Sequence, residues 1–118
     1  MDIEKFGVYL VNFSNSRGGE LSGKHYAVAL TSLNREHKTF LVAPITSKKS
    51  GKKYRGGFTI DCKKYQTNPS KEKAFAKVNK IREVSIHRVY GEMIYKLDEQ
   101  DIGKLKTSLF RVFDFLVD

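Results

Sequence analysis

The sequence contains one cysteine, two prolines and no tryptophan in 118 residues, and it has no long hydrophobic run. A lone cysteine, Cys62, cannot form an internal disulfide, so a reducing cytoplasm is the expected compartment. No apolar stretch approaches the ~20 residues that a membrane span needs, and the mixed-charge segment 1–5 is not followed by a signal-peptide core. One cysteine and three scattered histidines lack the close spacing of metal ligands, so neither a metal nor another cofactor is expected.

Acidic residues are also scarce. The chain has 13 Asp and Glu against 22 Lys and Arg, which gives a formal net charge of +9. Repulsion on this scale disfavours a compact chain unless a counter-charge is usual, so the expected partner is a nucleic acid, an acidic protein or an anionic membrane. The basic residues fall mainly in loops that contain Gly and Ser rather than on one face of an amphipathic helix, which argues against the membrane.

The hydrophobic pattern predicts short strands through most of the chain. The second and third strands form a hairpin around a polar turn at 34–38. Alternation changes phase near Lys80 and Ile81, which indicates a bulge. Pro44 donates no hydrogen bond, so it is expected near the end of its strand or at an edge. The predicted strands cover residues 6–13, 25–33, 39–45, 57–62, 74–84 and 91–97.

One helix is predicted at the end of the chain. Asp98 is the expected N-cap, and apolar residues follow it at helical spacing through 98–117. Phe110, Phe115 and Val117 lie outside the main stripe, so the helix end is expected to pack in the core or at an interface. Several short strands followed by one helix predict a mainly-β fold, a single domain over residues 1–118 built as a small, curved antiparallel barrel with the helix packed on it.

Two junctions between loops and strands carry the residues best suited to chemistry. The Gly-rich loop 18–24 leads into the strand that opens with His25, and the third strand is followed by Thr46 and Ser47. The basic segment 48–55 comes next. Side chains at such junctions are held by the sheet and remain open to a ligand. His25 is therefore a candidate acid or base, although a strand-opening histidine that bonds a backbone carbonyl fits the same pattern.

The order of these motifs resembles a known family. Gly7-Val8-Tyr9-Leu10-Val11 comes first, then Gly19-Glu20, Gly23 and the strand 26–30, then Pro44-Ile45-Thr46-Ser47, then segment 78–84, Arg88 and the C-terminal helix. Spread over nearly the whole chain, this order is similar to that of the MazF/PemK (Kid-like) toxins of bacterial toxin–antitoxin modules. The resemblance implies an SH3-like barrel, a homodimer, cleavage of single-stranded RNA at short sequences without metal, and inhibition by an acidic antitoxin.

The resemblance also assigns roles to individual residues. Thr46 matches the family's catalytic threonine and Glu20 matches its loop acid. Arg82 and Arg88 match its late basic positions. His25 and its neighbour stand where the family usually has an Arg–Pro pair, so an acid–base role there falls to an imidazole.

RNA cleavage without metal needs a base for the 2′-hydroxyl proton, an acid for the leaving 5′-oxygen and donors for the phosphate charge. His25 suits either proton transfer because the ordinary pKa of an imidazole lies near neutrality. Thr46 and Ser47 can donate hydrogen bonds to the phosphate, and Glu20 can orient His25 or contact a base edge. The other expected RNA contacts are cationic or aromatic: Lys24, Lys48, Lys49, Lys52, Lys53, Tyr54, Arg82 and Arg88.

Two alternative functions use the same barrel. A non-catalytic module would bind RNA or DNA in a salt-dependent manner without cutting it. A protein-interaction module would hold the acidic antitoxin or another acidic partner in its cationic groove. His87, beside Arg88, is a second candidate acid or base, whereas His37 in the polar turn is expected to be merely exposed.

Overall fold

Seven β-strands, one α-helix and three 3₁₀ turns make up the computed structural model, which describes residues 1–14 and 22–114. The strands are β1 (Gly7–Asn12), β2 (Lys24–Ala29), β3 (Thr39–Ser47), β4 (Phe58–Asp61), β5 (Lys73–Ala76), β6 (Arg82–Ser85) and β7 (Val89–Lys96). The 3₁₀ turns are Cys62–Lys64, Val78–Lys80 and Ile86–Arg88, and helix α1 is Glu99–Phe113.

The strand pairs are antiparallel, and β3 lies at the centre of the sheet. The strand order is β4-β5-β3-β2-β1-β7, with β6 also paired to β3. The predicted mainly-β fold with a C-terminal helix is confirmed. Over the described residues the sheet does not close, so the barrel is a loose one.

Alternation along the strands separates two apolar clusters, one on each face of the sheet. One cluster includes Ala43 of β3 and Leu105 of α1, so the helix covers this side, called here the helix face. The other includes Phe13, Ala27 and Val42. This second side is called the Phe13 face. The strand residues of the candidate functional site are divided between the helix face and the Phe13 face.

Pro44 lies inside the central strand, which corrects the expectation that it stands at an end or an edge. On one side it pairs with Ala27 of β2, and on the other its carbonyl accepts a hydrogen bond from the Lys77 amide (2.7 Å). On that second side β3 changes partner from β5 to β6 across the turn Val78–Lys80. Because the ladder is interrupted there, a residue without an N–H group fits a central strand.

Other predicted strands differ from the observed ones at their bounds. The predicted strand 74–84 is two strands, because a full 3₁₀ turn replaces the bulge expected near Lys80. Val78 in that turn is buried in the core on the helix face, which holds the turn against the sheet. The hairpin of β2 and β3 is confirmed, but β2 ends at Ala29 and β3 continues to Ser47.

Helix α1 begins where the sequence predicts. The Asp98 carboxylate accepts a hydrogen bond from the Asp101 amide (2.9 Å) and so caps the first turn. Phe110 on the outer side is 68% exposed. The predicted positions Phe115 and Val117 lie outside the described residues. In the described part of the chain, no helix has the length and apolar character to cross a membrane.

Candidate functional site

His25 is the second residue of β2 and lies on the Phe13 face. It pairs with Val11, its ring is half-buried, and its Nε2 lies 2.8 Å from the backbone carbonyl of Ser22. A carbonyl only accepts, so Nε2 carries the hydrogen and Nδ1 of the neutral ring keeps its lone pair. The carbonyl bond expected of a strand-opening histidine is therefore present, and it leaves Nδ1 able to accept a proton, so it is compatible with the predicted acid–base role.

Arg82 meets His25 at the ring of Phe13. The ring centres of His25 and Phe13 lie 6.3 Å apart, and the guanidinium carbon of Arg82 lies 5.4 Å from the Phe13 ring centre. Arg82 pairs with Val42, so its side chain is on the Phe13 face as well. The fold therefore brings an imidazole from β2 and a guanidinium from β6 to one aromatic ring.

Thr46 lies in the strand next to His25, at the same end of the sheet and on the same face. β2 and β3 pair at Ala27 and Pro44, and His25 and Thr46 are each two residues farther toward that end. Alternate strand residues share a face, so both side chains lie on the side of Ala27 and Pro44. Thr46 is half-buried, so its hydroxyl is not sealed inside the core.

A row of side chains continues from Thr46 across the sheet. Thr46 pairs with Phe75 of β5, and Phe75 pairs with Thr59 of β4. Directly opposed residues present their side chains on one face, so these three lie side by side. Ser47 is the next residue of β3, and alternation turns its side chain to the other face. The structure thus does not bring the Ser47 hydroxyl together with that of Thr46.

Tyr54 anchors the basic loop between β3 and β4. Its half-buried ring packs against Phe75 with ring centres 5.2 Å apart. Its hydroxyl accepts a hydrogen bond from the Lys49 amide (2.9 Å) and donates one to the Ser47 carbonyl (3.3 Å). Part of the ring that the sequence suggests for base stacking is therefore occupied by contacts within the protein.

The lysines of this loop surround a pocket of about 340 Å³. The Lys48 ammonium donates a hydrogen bond to Thr59 Oγ1 (2.8 Å), and the ammonium groups of Lys48 and Lys52 lie 6.0 and 5.7 Å from the Tyr54 ring centre. Lys53 is exposed and does not line the pocket. The lining is strongly cationic and suits a phosphate group. It consists of Lys48, Lys49, Ser50, Gly51, Lys52, Thr59, Lys71, Glu72 and Lys73.

A second basic cluster surrounds Tyr90, which is 42% exposed on β7. The Lys24 ammonium lies 4.6 Å from the Tyr90 ring centre, and Asn12 Nδ2 donates a hydrogen bond to the Tyr90 hydroxyl (3.2 Å). Arg88 Nη1 donates to the Asn12 carbonyl (3.2 Å). Lys24 and His25 are consecutive in β2 and lie on opposite faces, so the structure separates the Lys24 side chain from that imidazole.

The remaining sequence candidates lie apart from these contacts. Glu20 is outside the described residues. His37 is exposed in its turn, with Nε2 3.9 Å from the Glu36 carboxylate. His87 is exposed, and its amide donates a hydrogen bond to Ser85 Oγ (3.2 Å). Within residues 1–14 and 22–114, no group of three or more His, Cys, Asp or Glu side chains is placed to hold a metal ion.

Sequence reasoning missed four residues of the site: Asn12, Phe13, Phe75 and Tyr90. Phe13 and Phe75 read as ordinary apolar strand residues, and only strand pairing shows what they touch. Tyr90 did carry a recognisable pattern, because an aromatic residue close to an arginine is typical of nucleic-acid surfaces.

A separate group of titratable side chains ties the start of α1 to the turn Cys62–Lys64. Lys64 Nζ lies 2.5 Å from Asp98 Oδ2, and this contact raises the pKa of Lys64 and lowers that of Asp98. Burial, helped by the bond to Asp101, raises the pKa of the Tyr65 hydroxyl. Burial also raises the pKa of the Cys62 thiol, so this cysteine stays protonated and is a poor nucleophile. This group anchors the helix and is not part of the site.

Together, the fold and the site define a small β-rich protein with a histidine, a threonine and a cationic loop at one end of its sheet. A family model described as "PemK-like, MazF-like toxin of type II toxin-antitoxin system" matches residues 4–113. The chain therefore belongs to the PemK/MazF-like toxin family. No curated protein gives a significant match.

Solved structures share this fold. The crystal structure of MazF (Form-I) from Deinococcus radiodurans aligns with a TM-score of 0.75 at 15% identity, covering 97% of this chain and 98% of that one. The Mycobacterium tuberculosis toxin MazF-mt6 gives 0.66 at 17% identity, covering 92% and 96%. An endoribonuclease in complex with its cognate antitoxin, from a mycobacterial species, gives 0.65 at 11% identity and covers 93% of each chain. At these identities the likeness establishes the fold alone.

Proposed function

We propose that this chain is one toxin domain over residues 1–118 and acts as an endoribonuclease that cuts single-stranded RNA by 2′-hydroxyl attack, without a metal. The observation that carries the proposal is the placement of His25 and Thr46 on adjacent strands, at one end and on one face of the sheet. Membership of the toxin family supports this activity, and one structural neighbour is itself an endoribonuclease.

In this reaction Nδ1 of His25 takes the proton of the 2′-hydroxyl next to the scissile phosphate. The 2′-oxygen bonds to phosphorus and the bond to the 5′-oxygen breaks, which leaves a 2′,3′-cyclic phosphate and a 5′-hydroxyl. Water protonates the leaving oxygen and later accepts the proton from His25, which restores the base. Thr46 donates a hydrogen bond to a phosphate oxygen as its negative charge grows.

The RNA strand is held by charge on both sides of this centre. The lysine pocket of the β3–β4 loop binds a flanking phosphate, and Tyr54 supports the loop while offering part of its ring to a base. Lys24 and Arg88, at the Tyr90 cluster, contact a nucleotide farther along the strand. The other residues proposed to contact RNA are Glu20, Ser47, Lys48, Lys49, Lys52, Lys53 and Arg82.

An acidic antitoxin is the proposed protein partner, because the chain carries a net charge of +9 and a structural neighbour is bound to its cognate antitoxin. A homodimer is also proposed, since Met93 and Ile94 expose apolar side chains on β7, an edge strand. Light scattering after size exclusion tests the dimer, and a monomer mass would contradict it.

The single cysteine is consistent with a reducing cytoplasm as the site of action.

The activity is tested by incubating the pure protein with a long single-stranded RNA in excess EDTA and analysing the product ends. We expect cuts at a short sequence that leave 2′,3′-cyclic phosphate and 5′-hydroxyl ends. His25→Ala should lower the rate roughly 10²–10⁴-fold, the usual range for losing a general acid–base group. His37→Ala is the matched control and should cut at the wild-type rate, because His37 is exposed in a distant turn.

Three results would count against this function. These are intact RNA across varied sequences, cleavage that EDTA abolishes, and cleavage retained by a folded His25→Ala variant. Salt-dependent RNA binding without any cleavage would instead support a non-catalytic nucleic-acid-binding module. Weak RNA binding together with tight binding of an acidic peptide at ~150 mM salt would support a protein-interaction module.

A further inference from the structure

Two segments of the chain form the walls of the lysine pocket. One is the start of the β3–β4 loop and the other is the stretch that enters β5, and the Lys48 amide joins them by donating a hydrogen bond to the Lys73 carbonyl (3.0 Å). The loop tip turns at Gly51, whose φ of +77° favours glycine, and the Lys52 amide donates to the Lys49 carbonyl (3.4 Å). Backbone hydrogen bonds therefore hold the pocket in shape.

The acidic group of the pocket is already neutralised. The Glu72 carboxylate lies 2.7 Å from the ammonium of Lys63, which lies outside the lining, and this bond lowers the pKa of Glu72. Lys73 Nζ lies 3.6 Å from the Asp61 carboxylate. The other four lysines of the lining form no ion pair with an acidic side chain of the described residues: Lys48, Lys49, Lys52 and Lys71.

Four unpaired ammonium groups around one space repel one another, and a bound anion offsets this repulsion. Each ammonium is a compact charge with its own donors, so the best ligand has anionic oxygens open on several sides. An internal phosphodiester of RNA carries one negative charge and has two of its oxygens in ester bonds. A phosphate monoester carries about −1.5 to −2 at pH 7 and presents three acceptor oxygens. The pocket therefore matches a monoester better than a diester.

We propose that the lysine pocket is a subsite for a terminal phosphate, so that the RNA strand this protein binds best is one that ends in a phosphate monoester. This assignment rests on the proposed endoribonuclease function, because the flanking phosphate held by the pocket is then the end of the substrate strand. Lys71, which is exposed and absent from the sequence candidates, becomes a specificity residue.

The pocket lies close enough to Thr46 for one strand to reach both. Thr46 pairs with Phe75, Phe75 pairs with Thr59, and Lys48 Nζ donates to Thr59 Oγ1 (2.8 Å). Two strand spacings separate Thr46 from Thr59, which is about 10 Å between their backbones. An RNA held in the pocket by its end therefore passes Thr46 within its first few nucleotides.

The experiment measures binding of one short RNA whose 2′-hydroxyls are all methylated, so that no 2′-oxygen attacks and the strand stays intact. It is prepared with a 5′-phosphate, with a 3′-phosphate, or with hydroxyls at both ends. At ~150 mM salt we expect one phosphorylated form to bind about tenfold tighter than the other two, because several modest ion pairs act together. The form phosphorylated at the opposite end is the matched control, since it carries the same added charge. Equal affinities of the two phosphorylated forms would overturn the subsite.

Lys71→Gln and the double variant Lys52→Gln/Lys71→Gln remove charge from the two walls. We expect the tenfold gain to fall to about threefold in the single variant and below about twofold in the double variant. Lys106→Gln on the exposed side of α1 is the control and should keep the full gain. A double variant that keeps the gain, with an unchanged circular dichroism spectrum, would contradict the assignment. If the double variant does not fold, Lys71→Gln alone decides in the same way.

A free nucleotide carries the same phosphate chemistry, so adenosine 5′-monophosphate is added as a competitor. It should displace the phosphorylated strand only at millimolar concentration. Displacement at micromolar concentration would identify a free nucleotide as the ligand and overturn the assignment to an RNA end.

The subsite and the nuclease activity fail in different ways. If the wild type cuts ordinary RNA but gains no affinity from either terminal phosphate, the subsite is wrong and the nuclease stands. If one phosphorylated end gives the gain and ordinary RNA stays intact, the subsite is supported and the nuclease is wrong. A wild type that binds none of the three strands would overturn both.

Discussion

The hydroxyl of Tyr65 donates a hydrogen bond to the carboxylate of Asp101, whose residue is only 2% exposed. The same hydroxyl accepts a hydrogen bond from the Asp98 amide (3.0 Å). One phenol thus satisfies a buried carboxylate and a backbone donor at the start of α1. Tyr65 also stacks on Tyr95 with ring centres 4.4 Å apart, which joins the helix start to the sheet.

Tyr65→Phe should therefore destabilise the fold although it removes a single oxygen atom. Among the described side chains, Asp101 then keeps the more distant Lys64 and Lys104 ammonium groups, at 3.5 and 3.8 Å. Leaving a buried polar group short of a partner costs about 1–3 kcal/mol. Urea denaturation should show a lower midpoint with an unchanged slope. Tyr90→Phe, which removes an exposed tyrosine hydroxyl, is the control and should stay within about 0.5 kcal/mol of the wild type.

The Asp98 carboxylate should make the stability of the fold depend on pH at the acid end. The bond to Lys64, and then the Asp101 amide, lowers the pKa of Asp98 below its ordinary value. A lowered folded pKa stabilises the fold above the unfolded pKa of about 3.9, and this contribution is lost as pH falls through the folded pKa.

Asp98→Asn isolates this effect, because asparagine remains a good N-cap but carries no charge for Lys64. We expect the variant to be less stable than the wild type at pH 7, and the two to converge once the pH lies below the lowered folded pKa of Asp98. Urea denaturation across this pH range is the measurement. A gap of constant size would show that the carboxylate contributes through its hydrogen bonds rather than through its charge.

Two glycines should respond in opposite ways to alanine. A Cβ at Gly57 would lie 1.7 Å from the Ala76 carbonyl oxygen, whereas a Cβ at Gly103 would meet no atom of the described residues within 4 Å beyond its own stretch of helix backbone. Gly103→Ala should raise the free energy of unfolding by about 0.5–1 kcal/mol, because alanine restricts the unfolded chain and favours the helix. Gly57→Ala should lower it by more than about 2 kcal/mol, since β4 and β5 must separate. Equal effects in thermal or urea melts would contradict this description of the packing.

The lysine pocket should set the salt dependence of RNA binding. The RNA-binding constant K falls with salt, so log K against log salt has a negative slope. If Lys49 and Lys52 each neutralise one phosphate, replacing either by glutamine should make this slope less steep by about 0.7. The double variant should bind more weakly at low salt and differ less from the wild type at high salt. Lys106→Gln on the exposed side of α1 is the control. A double variant with an unchanged slope would show that RNA passes elsewhere.

Local patterns predicted much of the fold. The hairpin of β2 and β3 and the Asp98 cap follow from apolar alternation and from a side chain that bonds a neighbouring amide. The sequence predictions were less accurate for the position of Pro44 within its strand and for the single strand expected over 74–84. Whether proline is tolerated in a central strand depends on where the neighbouring strand is interrupted, and the sequence around Pro44 does not contain that information.

The amino-acid order alone determined the strand and helix periodicity, the excess of positive charge and the pattern that resembles this toxin family. It also set which neighbours point apart, because residues 24 and 25 of one strand cannot share a face. Tertiary structure decided which distant side chains meet. Arg82 contacts the Phe13 ring because β6 pairs with β3, and His25 and Thr46 lie on neighbouring strands because β2 pairs with β3. Strand order and register arise from packing over the whole sheet, so no local stretch of sequence encodes them.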